Sequence, residues 1–444
     1  MSKKIFLIGA GRSASVLIKY LLEQSQVHQW QLTIGDQDTE MVKSKVGSAN
    51  VNIIKFDVNN EQQREQEIQD VDLVISMLPA RFHPIVATSC LKHKKHLVTA
   101  SYVSPEIKAM EKEAKENGVL LLNEIGLDPG LDHLSAMKEI DEIRNGGGRM
   151  LNFESFTGGL VAPESDNNPW NYKFTWNPRN VVLAGQGTVK FIQEGQFKYI
   201  PYHRLFRRTE IIEIEGYGRF EGYANRDSLK YLDVYNLGGI PTIYRGTLRR
   251  PGFCRAWDVF VKLGATDDSY IMEGSENMTH RDFINSFLSY NPHDSVELKL
   301  MHYLHLDQDS PIIEKLQWLG IFEHTKVGLK NATPAQILQH ILEKKWTLQP
   351  NDKDMIVMWH QFIFEQKGIK QRKTSSVVVI GDDAVNTAMA KTVGLPLGIA
   401  TKLILTDKIN LSGVHIPITP EIYNPVLDEL SRNGITFSHN SAPV

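Results

Sequence analysis

Residues 5–14 read Ile5-Phe6-Leu7-Ile8-Gly9-Ala10-Gly11-Arg12-Ser13-Ala14, an apolar strand running into a glycine-rich turn. Leu17, Ile18, Leu21 and Leu22 follow at helical spacing. Strand, turn and helix in this order build an anion site from main chain alone. Gly9 permits a sharp turn, Gly11 lets a pyrophosphate approach the backbone, and small Ala14 lets helix and strand pack closely. The helix N-terminus adds N–H donors and partial positive charge. A second apolar strand, Gln31 to Gly35, ends in Asp36, 22 residues beyond Ala14, where a ribose-binding carboxylate belongs. A tight turn beside a surface aspartate explains less of this pattern. The stretch predicts a dinucleotide-binding domain with Gly9, Gly11, Arg12, Ser13, Ala14 and Asp36 at the ligand.

Asp36 also bears on which dinucleotide is held. A carboxylate accepts hydrogen bonds from ribose hydroxyls but repels a 2′-phosphate. Gln37 and Asp38 offer no cation to that phosphate, and Arg12 in the turn is the one nearby residue that could reach it. NAD is expected ahead of NADP.

The chain has 444 residues, enough for two or three domains. It is 41% hydrophobic and 23% charged, with a formal net charge of −3, so no electrostatic case arises for nucleic acid or an anionic membrane. Cys90 and Cys254 are the two cysteines, which argues against a disulfide framework and for a reducing compartment. The N-terminal apolar run ends at Gly9 as part of the first strand, and no bilayer-length apolar stretch stands out. A cytoplasmic protein is expected. His302 and His305 have no third partner at metal-ligand spacing, so no metal site is expected.

Further strands read at Val51–Phe56, Leu73–Leu78, His96–Ala100 and Val119–Leu122, most of them separated by helical patterns. Six nearly continuous apolar strands with helical crossovers predict a doubly wound parallel sheet of the Rossmann type. Ligands of such sheets bind beyond the carboxyl ends of the strands. The residues there include Asp57 and Val58, Leu78 with Pro79, Ser101 and Tyr102, and Asn123 to Gly130. Asp128 and Pro129 read as a helix N-cap and first helical position, a role that leaves ligand contact open.

Past residue 150 the character changes to alternating strands such as Glu210–Glu215, Tyr244–Arg249 and Val377–Ile380. Helices dominate about 275–345, for instance Pro334–Lys345 behind Thr333. The expected fold is α/β: a Rossmann domain over 1–130, a mixed α/β substrate domain with a helical insertion over 131–395, and a C-terminal segment over 396–444. Loops of the middle domain gather arginines among glycines and aromatics: Asn225-Arg226-Asp227 and Arg245-Gly246-Thr247-Leu248-Arg249-Arg250. Arginine suits bidentate carboxylate recognition. Equally, Arg226 could pair with Asp227, and Arg249 and Arg250 could be solvated strand residues. Lys173 and His133 are conceivable proton carriers or packed side chains.

The runs Ala100–Pro105, Asn123–His133, Gly158–Leu160 with Pro163–Ser165, Tyr172–Trp176, Asn225–Ser228, Arg245–Arg249 and Trp318–Phe322 extend, in order, across the whole chain. In these the chain resembles the glutamate-forming saccharopine dehydrogenases, also called saccharopine reductases. That resemblance implies a reaction joining or splitting 2-aminoadipate 6-semialdehyde and glutamate through saccharopine, in lysine metabolism. It also implies a homodimer and a C-terminal segment returning to the Rossmann domain. It assigns substrate contacts to Ser101, Tyr102, Asp128, Arg226, Thr247, Leu248 and Arg249. The cofactor side adds Asp57, Val58, Leu78, Leu127, Asp128, Pro129 and Thr175. Asp128 and Tyr102 are the candidates for catalytic work. Fungal members that use NADP carry an arginine just after the second strand, whereas this chain has Asp36-Gln37, which keeps NAD as the expectation with NADP possible. Two rival readings remain. One is a polyamine dehydrogenase of the carboxynorspermidine or homospermidine synthase type, against which Arg226, Arg245 and Arg249 weigh. The other is a non-catalytic NAD(H) sensor, against which the large second domain weighs.

Overall fold

The computed structural model describes residues 2–444. The chain forms two compact units, residues 1–150 with 364–444, and residues 151–363. Its strands in chain order begin with β1 (Lys4–Ile8), β2 (Gln31–Asp36), β3 (Asn52–Lys55), β4 (Leu73–Ser76), β5 (His96–Thr99) and β6 (Leu120–Leu122). Next come β7 (Arg149–Val161), β8 (Val189–Gln193), β9 (Gln196–Ile200), β10 (Thr209–Ile214), β11 (Gly218–Ala224), β12 (Thr242–Arg249) and β13 (Asp354–Gln366). Last are β14 (Ile369–Ile380), β15 (Gly413–His415) and β16 (Ser438–Pro443).

The first unit holds a seven-stranded sheet in the order β15-β6-β5-β4-β1-β2-β3. Every neighbouring pair is parallel. Strands buried on both faces explain the unbroken apolar runs, as in β4, where all four residues are buried. The order reverses beside β1, so the glycine-rich turn and the ends of β4 and β5 share the switch point at which such sheets bind ligands.

Leu131–Asn145 and residues 364–395, expected in the middle domain, both fall in the first unit. The helix Leu131–Asn145 buries Leu131, Leu134, Ile140 and Ile143, an apolar set that needs a partner surface. The helix Pro420–Arg432 supplies one, with Tyr423 Oη donating to Asp141 at 2.9 Å.

Against the expectation of no bilayer-length apolar stretch, the helix Ala388–Leu405 is long and apolar enough to cross a membrane by length and composition. It is 83% buried within the protein. Thr392 and Thr401 interrupt its apolar run and return their hydroxyls to the carbonyls of Ala388 and Leu397. It lies against Ser15–His28 at close range: a Cβ on Gly394 would stand 2.7 Å from the Leu17 amide nitrogen.

In the second unit the strands run β10-β11-β12-β7-β13, with β8 pairing β12 and β9. β12 is central, antiparallel to β11 and parallel to β7. An aromatic core of Trp170, Tyr172, Phe253, Trp257 and Trp346 packs edge-on, tilted or stacked, with Trp170 and Trp346 ring centroids 5.2 Å apart. The helical stretch contains His280–Asn285, Val296–Leu304, Pro311–Trp318 and Pro334–Trp346. Thr333 caps the last through a capping box with Gln336, as the Thr-Pro sequence predicts.

Candidate active site

In the first unit, Gly9 takes φ 92° and donates its N–H to Gly35 O at 2.9 Å, which turns the chain off β1. Gly11 is exposed, nothing stands within 4 Å of where its Cβ would be, and no side chain caps the turn Arg12–Ala14 that it precedes. Asp36 sits at the rim, its Oδ2 accepting from Ala10 N at 2.7 Å and its Oδ1 from Asp38 N at 3.0 Å. Open backbone at Gly11 beside a rim carboxylate fits a dinucleotide.

Lys45 escaped sequence reading. From the helix Thr39–Val46 its Nζ donates to the carbonyls of Ala10 (2.6 Å) and Gly11 (2.5 Å). Burial lowers its pKa, and the Asp36 carboxylate opposes that shift. Nothing in the spacing of Lys45 marks it; only the fold of the Thr39–Val46 helix over the turn does.

The other cofactor-side residues divide by exposure. Asp57 is exposed and its Oδ1 accepts from Asn59 N at 3.0 Å. Val58 and Leu78 pack on the same apolar cluster as Phe6 and Phe56. Ser13 is half-buried and Arg12 exposed. Leu127 and Pro129 are buried. Thr175 belongs to the second unit, where its buried Oγ1 has no hydrogen-bond partner.

Asp128 is not a helix N-cap. The helix begins at Leu131 with Gly130 at the cap, at φ 148°. Gly126 and Gly130 meet so closely that a Cβ on Gly130 would lie 2.1 Å from Gly126 O, and Leu131 N donates to that same oxygen at 2.8 Å. This tight loop moves Asp128 and Pro129 ahead of the helix. The half-buried Asp128 then receives the Tyr102 hydroxyl at 3.4 Å.

Ser101 and Tyr102 follow β5. The Ser101 hydroxyl stands 2.7 Å from His83 Nε2. Glu124 anchors the main chain here: its N–H donates to Ser101 O at 3.0 Å and its Oε1 accepts from Val103 N at 3.0 Å. Its Oε2 lies 2.8 Å from His133 Nε2, so the fully buried His133 braces this loop. Lys173, the other candidate proton carrier, is buried in an ion pair with Asp352 at 2.7 Å in the second unit.

In the second unit, Arg245, Thr247 and Arg249 occupy alternate positions of β12 and therefore one face. Thr157 on β7 and Tyr223 on β11 register with Thr247 and share that face. Leu248 points the other way into the core. Arg249 is not solvated; it is 4% exposed. Its guanidinium carbon lies 5.0 Å from the Tyr172 ring, 5.4 Å from Phe253 and 5.9 Å from Tyr223. Nη1 donates to Leu248 O at 2.8 Å, while Nε has no hydrogen-bond partner. Burial pulls its pKa down, but Tyr223, Tyr172, Cys254 and Glu221 outweigh it and hold the charge on. Arg245 is also buried, its guanidinium 3.9 Å from the Tyr231 ring. Arg250 donates to Tyr217 O at 2.8 Å. Arg226 adopts φ 51° just past β11, and its carbonyl accepts from Lys190 N at 3.0 Å. Asp227 Oδ2 lies 3.8 Å from Lys190 Nζ, and its Oδ1 accepts from Leu229 N at 3.0 Å.

Residues 5–122 match the saccharopine dehydrogenase NADP binding domain, and residues 126–435 match the saccharopine dehydrogenase C-terminal domain. The chain belongs to the saccharopine dehydrogenase family. It is 33% identical over 441 residues to saccharopine dehydrogenase [NADP(+), L-glutamate-forming] of Schizosaccharomyces pombe, covering 97% of each chain. The apo saccharopine dehydrogenase (L-Glu forming) from Saccharomyces cerevisiae superposes with a TM-score of 0.90 at 30% identity, over 99% of this chain and 100% of that one. The mitochondrial alpha-aminoadipic semialdehyde synthase of Rattus norvegicus is 33% identical over 447 residues, 99% of this chain and 48% of that protein. The chain thus spans about half the length of these synthases. The homospermidine synthase of Legionella pneumophila shares the fold at 10% identity and a TM-score of 0.57. A family whose first domain model is defined by NADP binding implies a nicotinamide cofactor.

Proposed function

We propose that this saccharopine dehydrogenase family member acts on the secondary amine of saccharopine. Saccharopine loses a hydride and a proton across that amine and its adjoining carbon, and water then splits the C=N bond to give glutamate and 2-aminoadipate 6-semialdehyde; the reverse reaction joins them. When bound, the nicotinamide dinucleotide supplies the two-electron redox chemistry. Gly9, Gly11, Arg12, Ser13 and Ala14 hold its phosphates, and Asp36 its ribose. Ser101, Tyr102 and Asp128 bind and orient substrate, with the Tyr102–Asp128 pair ordering the water that cleaves the C=N bond. Arg226 and Arg249 bind carboxylates.

The observation that carries this reading is Arg249. A buried guanidinium held by aromatic faces, one carbonyl and the nearby Glu221 carboxylate, with Nε unpartnered, still has a hydrogen bond for an anion to complete. A substrate with three carboxylates provides that anion, and a polyamine does not. We propose NAD as the better-bound dinucleotide, because a carboxylate at the end of β2 accepts from ribose hydroxyls and repels a 2′-phosphate. The fungal relatives named for NADP(+) make this the sharper choice to test. Reduced-nicotinamide absorbance followed with saccharopine and, separately, with a polyamine imine decides the substrate: turnover of saccharopine alone is expected. Turnover of the imine alone refutes the reading.

A further inference from the structure

His83 opens the helix His83–His93, and no sequence motif includes it. His83 is 2% exposed and its ring bridges two strand ends, with Nδ1 3.0 Å from the Ser76 hydroxyl at the end of β4 and Nε2 2.7 Å from the Ser101 hydroxyl after β5. Thr99 Oγ1 stands 3.4 Å from the same Nε2. Burial holds the ring down to about 4, so it is neutral near pH 7 and carries one N–H among the Ser76, Ser101 and Thr99 hydroxyls. A neutral imidazole between two hydroxyls gives the chain of hydrogen bonds a direction. One nitrogen must accept and the other must donate.

We infer that His83 is a positioning residue that aims the Ser101 hydroxyl hydrogen at a substrate carboxylate. Ser76, fully buried, donates to Nδ1. Nε2–H donates to Ser101 Oγ, and the Ser101 hydrogen is left pointing at the ligand. The opposite tautomer would draw that hydrogen back to the ring and present lone pairs to an anion. A polyanionic ligand therefore selects the Nε2–H form. This inference rests on the reading that Ser101 contacts substrate. The loop itself does not depend on His83, because Glu124 holds Ser101 and Val103 through the main chain. Removing the ring disturbs the hydroxyl and leaves the backbone anchored.

The test is a double-mutant cycle on the full chain with S101A, H83A, H83Q and the H83A/S101A pair. It reads KM for saccharopine, kcat, the NADH dissociation constant from fluorescence, and the melting temperature. S101A is expected to raise KM about tenfold, the loss of one hydrogen bond to a charged group. H83A should reproduce that rise, the pair should be no worse than S101A alone, and NADH affinity should hold within about twofold. H83Q, whose amide can donate from nearly the Nε2 position, should recover most of the loss and folds without the imidazole. Multiplicative effects in the pair, or wild-type KM in H83Q and H83A alongside a raised KM in S101A, overturn the role of His83. Wild-type KM in S101A overturns the Ser101 contact itself. A protonated Nδ1 in ¹⁵N spectra of the ring with saccharopine bound also overturns the inference, whereas absence of saccharopine turnover in the wild type overturns the functional reading on which it rests.

Discussion

Tyr102 donates its hydroxyl to Asp128 across the loops that follow β5 and β6, at 3.4 Å. At that length the bond is weak, and its value is placement: it keeps a phenol and a carboxylate in one place at the carboxyl edge of the sheet. D128A should therefore lower kcat/KM for saccharopine by about 100-fold, within the range for a lost proton-handling group. Y102F should cost only a few-fold. Initial rates of both variants check this, and a larger loss in Y102F than in D128A reverses the roles assigned.

Arg249 serves stability and function together. R249M keeps volume but leaves the buried Glu221 carboxylate, its neighbour on β11, without its cation. Its melting temperature should fall below the wild type, because removing one partner of a buried charge pair strands the other. Saccharopine KM should rise about 100-fold, on the order of 3 kcal/mol. Calorimetry and rate assays on the same preparation check both halves.

Asp36 carries the proposed choice of dinucleotide. D36S should weaken NADH binding about tenfold and strengthen NADPH binding, because ribose acceptors are lost as the repulsion of a 2′-phosphate is relieved. Fluorescence titration with each reduced cofactor gives the ratio. Parallel weakening of both would mean that Asp36 serves only the turn, through Ala10 N.

His83 links stability to pH. An unfolded histidine titrates near 6.5 and this buried one at about 4, so between these values the unfolded chain binds the extra proton. Stability from the neutral ring is complete above pH 6.5 and falls as pH drops toward 4, by roughly 3 kcal/mol at most. H83Q cannot titrate there. Its urea midpoint relative to wild type should climb as pH falls through that window, and parallel curves would contradict the shift.

Gly394 governs helix packing in the first unit. G394A places a methyl 2.7 Å from the Leu17 amide nitrogen, a main-chain atom that cannot swing aside. The melting curve should show a loss of about 1–3 kcal/mol, the usual cost of overpacking.

Local patterns in the chain determine the strand, glycine turn and helix of residues 4–28, Asp36 at the end of β2, and the Thr333 cap. Hydrophobic period and turn chemistry act between near neighbours, so they are visible without the fold. Tertiary structure alone decides that His83 meets Ser101, that Lys45 reaches the Ala10 and Gly11 carbonyls, and that Arg249 is buried rather than solvated. Arg249 looked like either a solvated residue or an anion ligand because alternation along β12 does not say what covers each face. The position of β12 between β11 and β7, with Tyr172 and Phe253 over the guanidinium, settles its burial. Asp128 shows the same limit. Its Pro129 resembled a helix start, but the close approach of Gly126 and Gly130 moves the cap two residues on and leaves the carboxylate beside Tyr102.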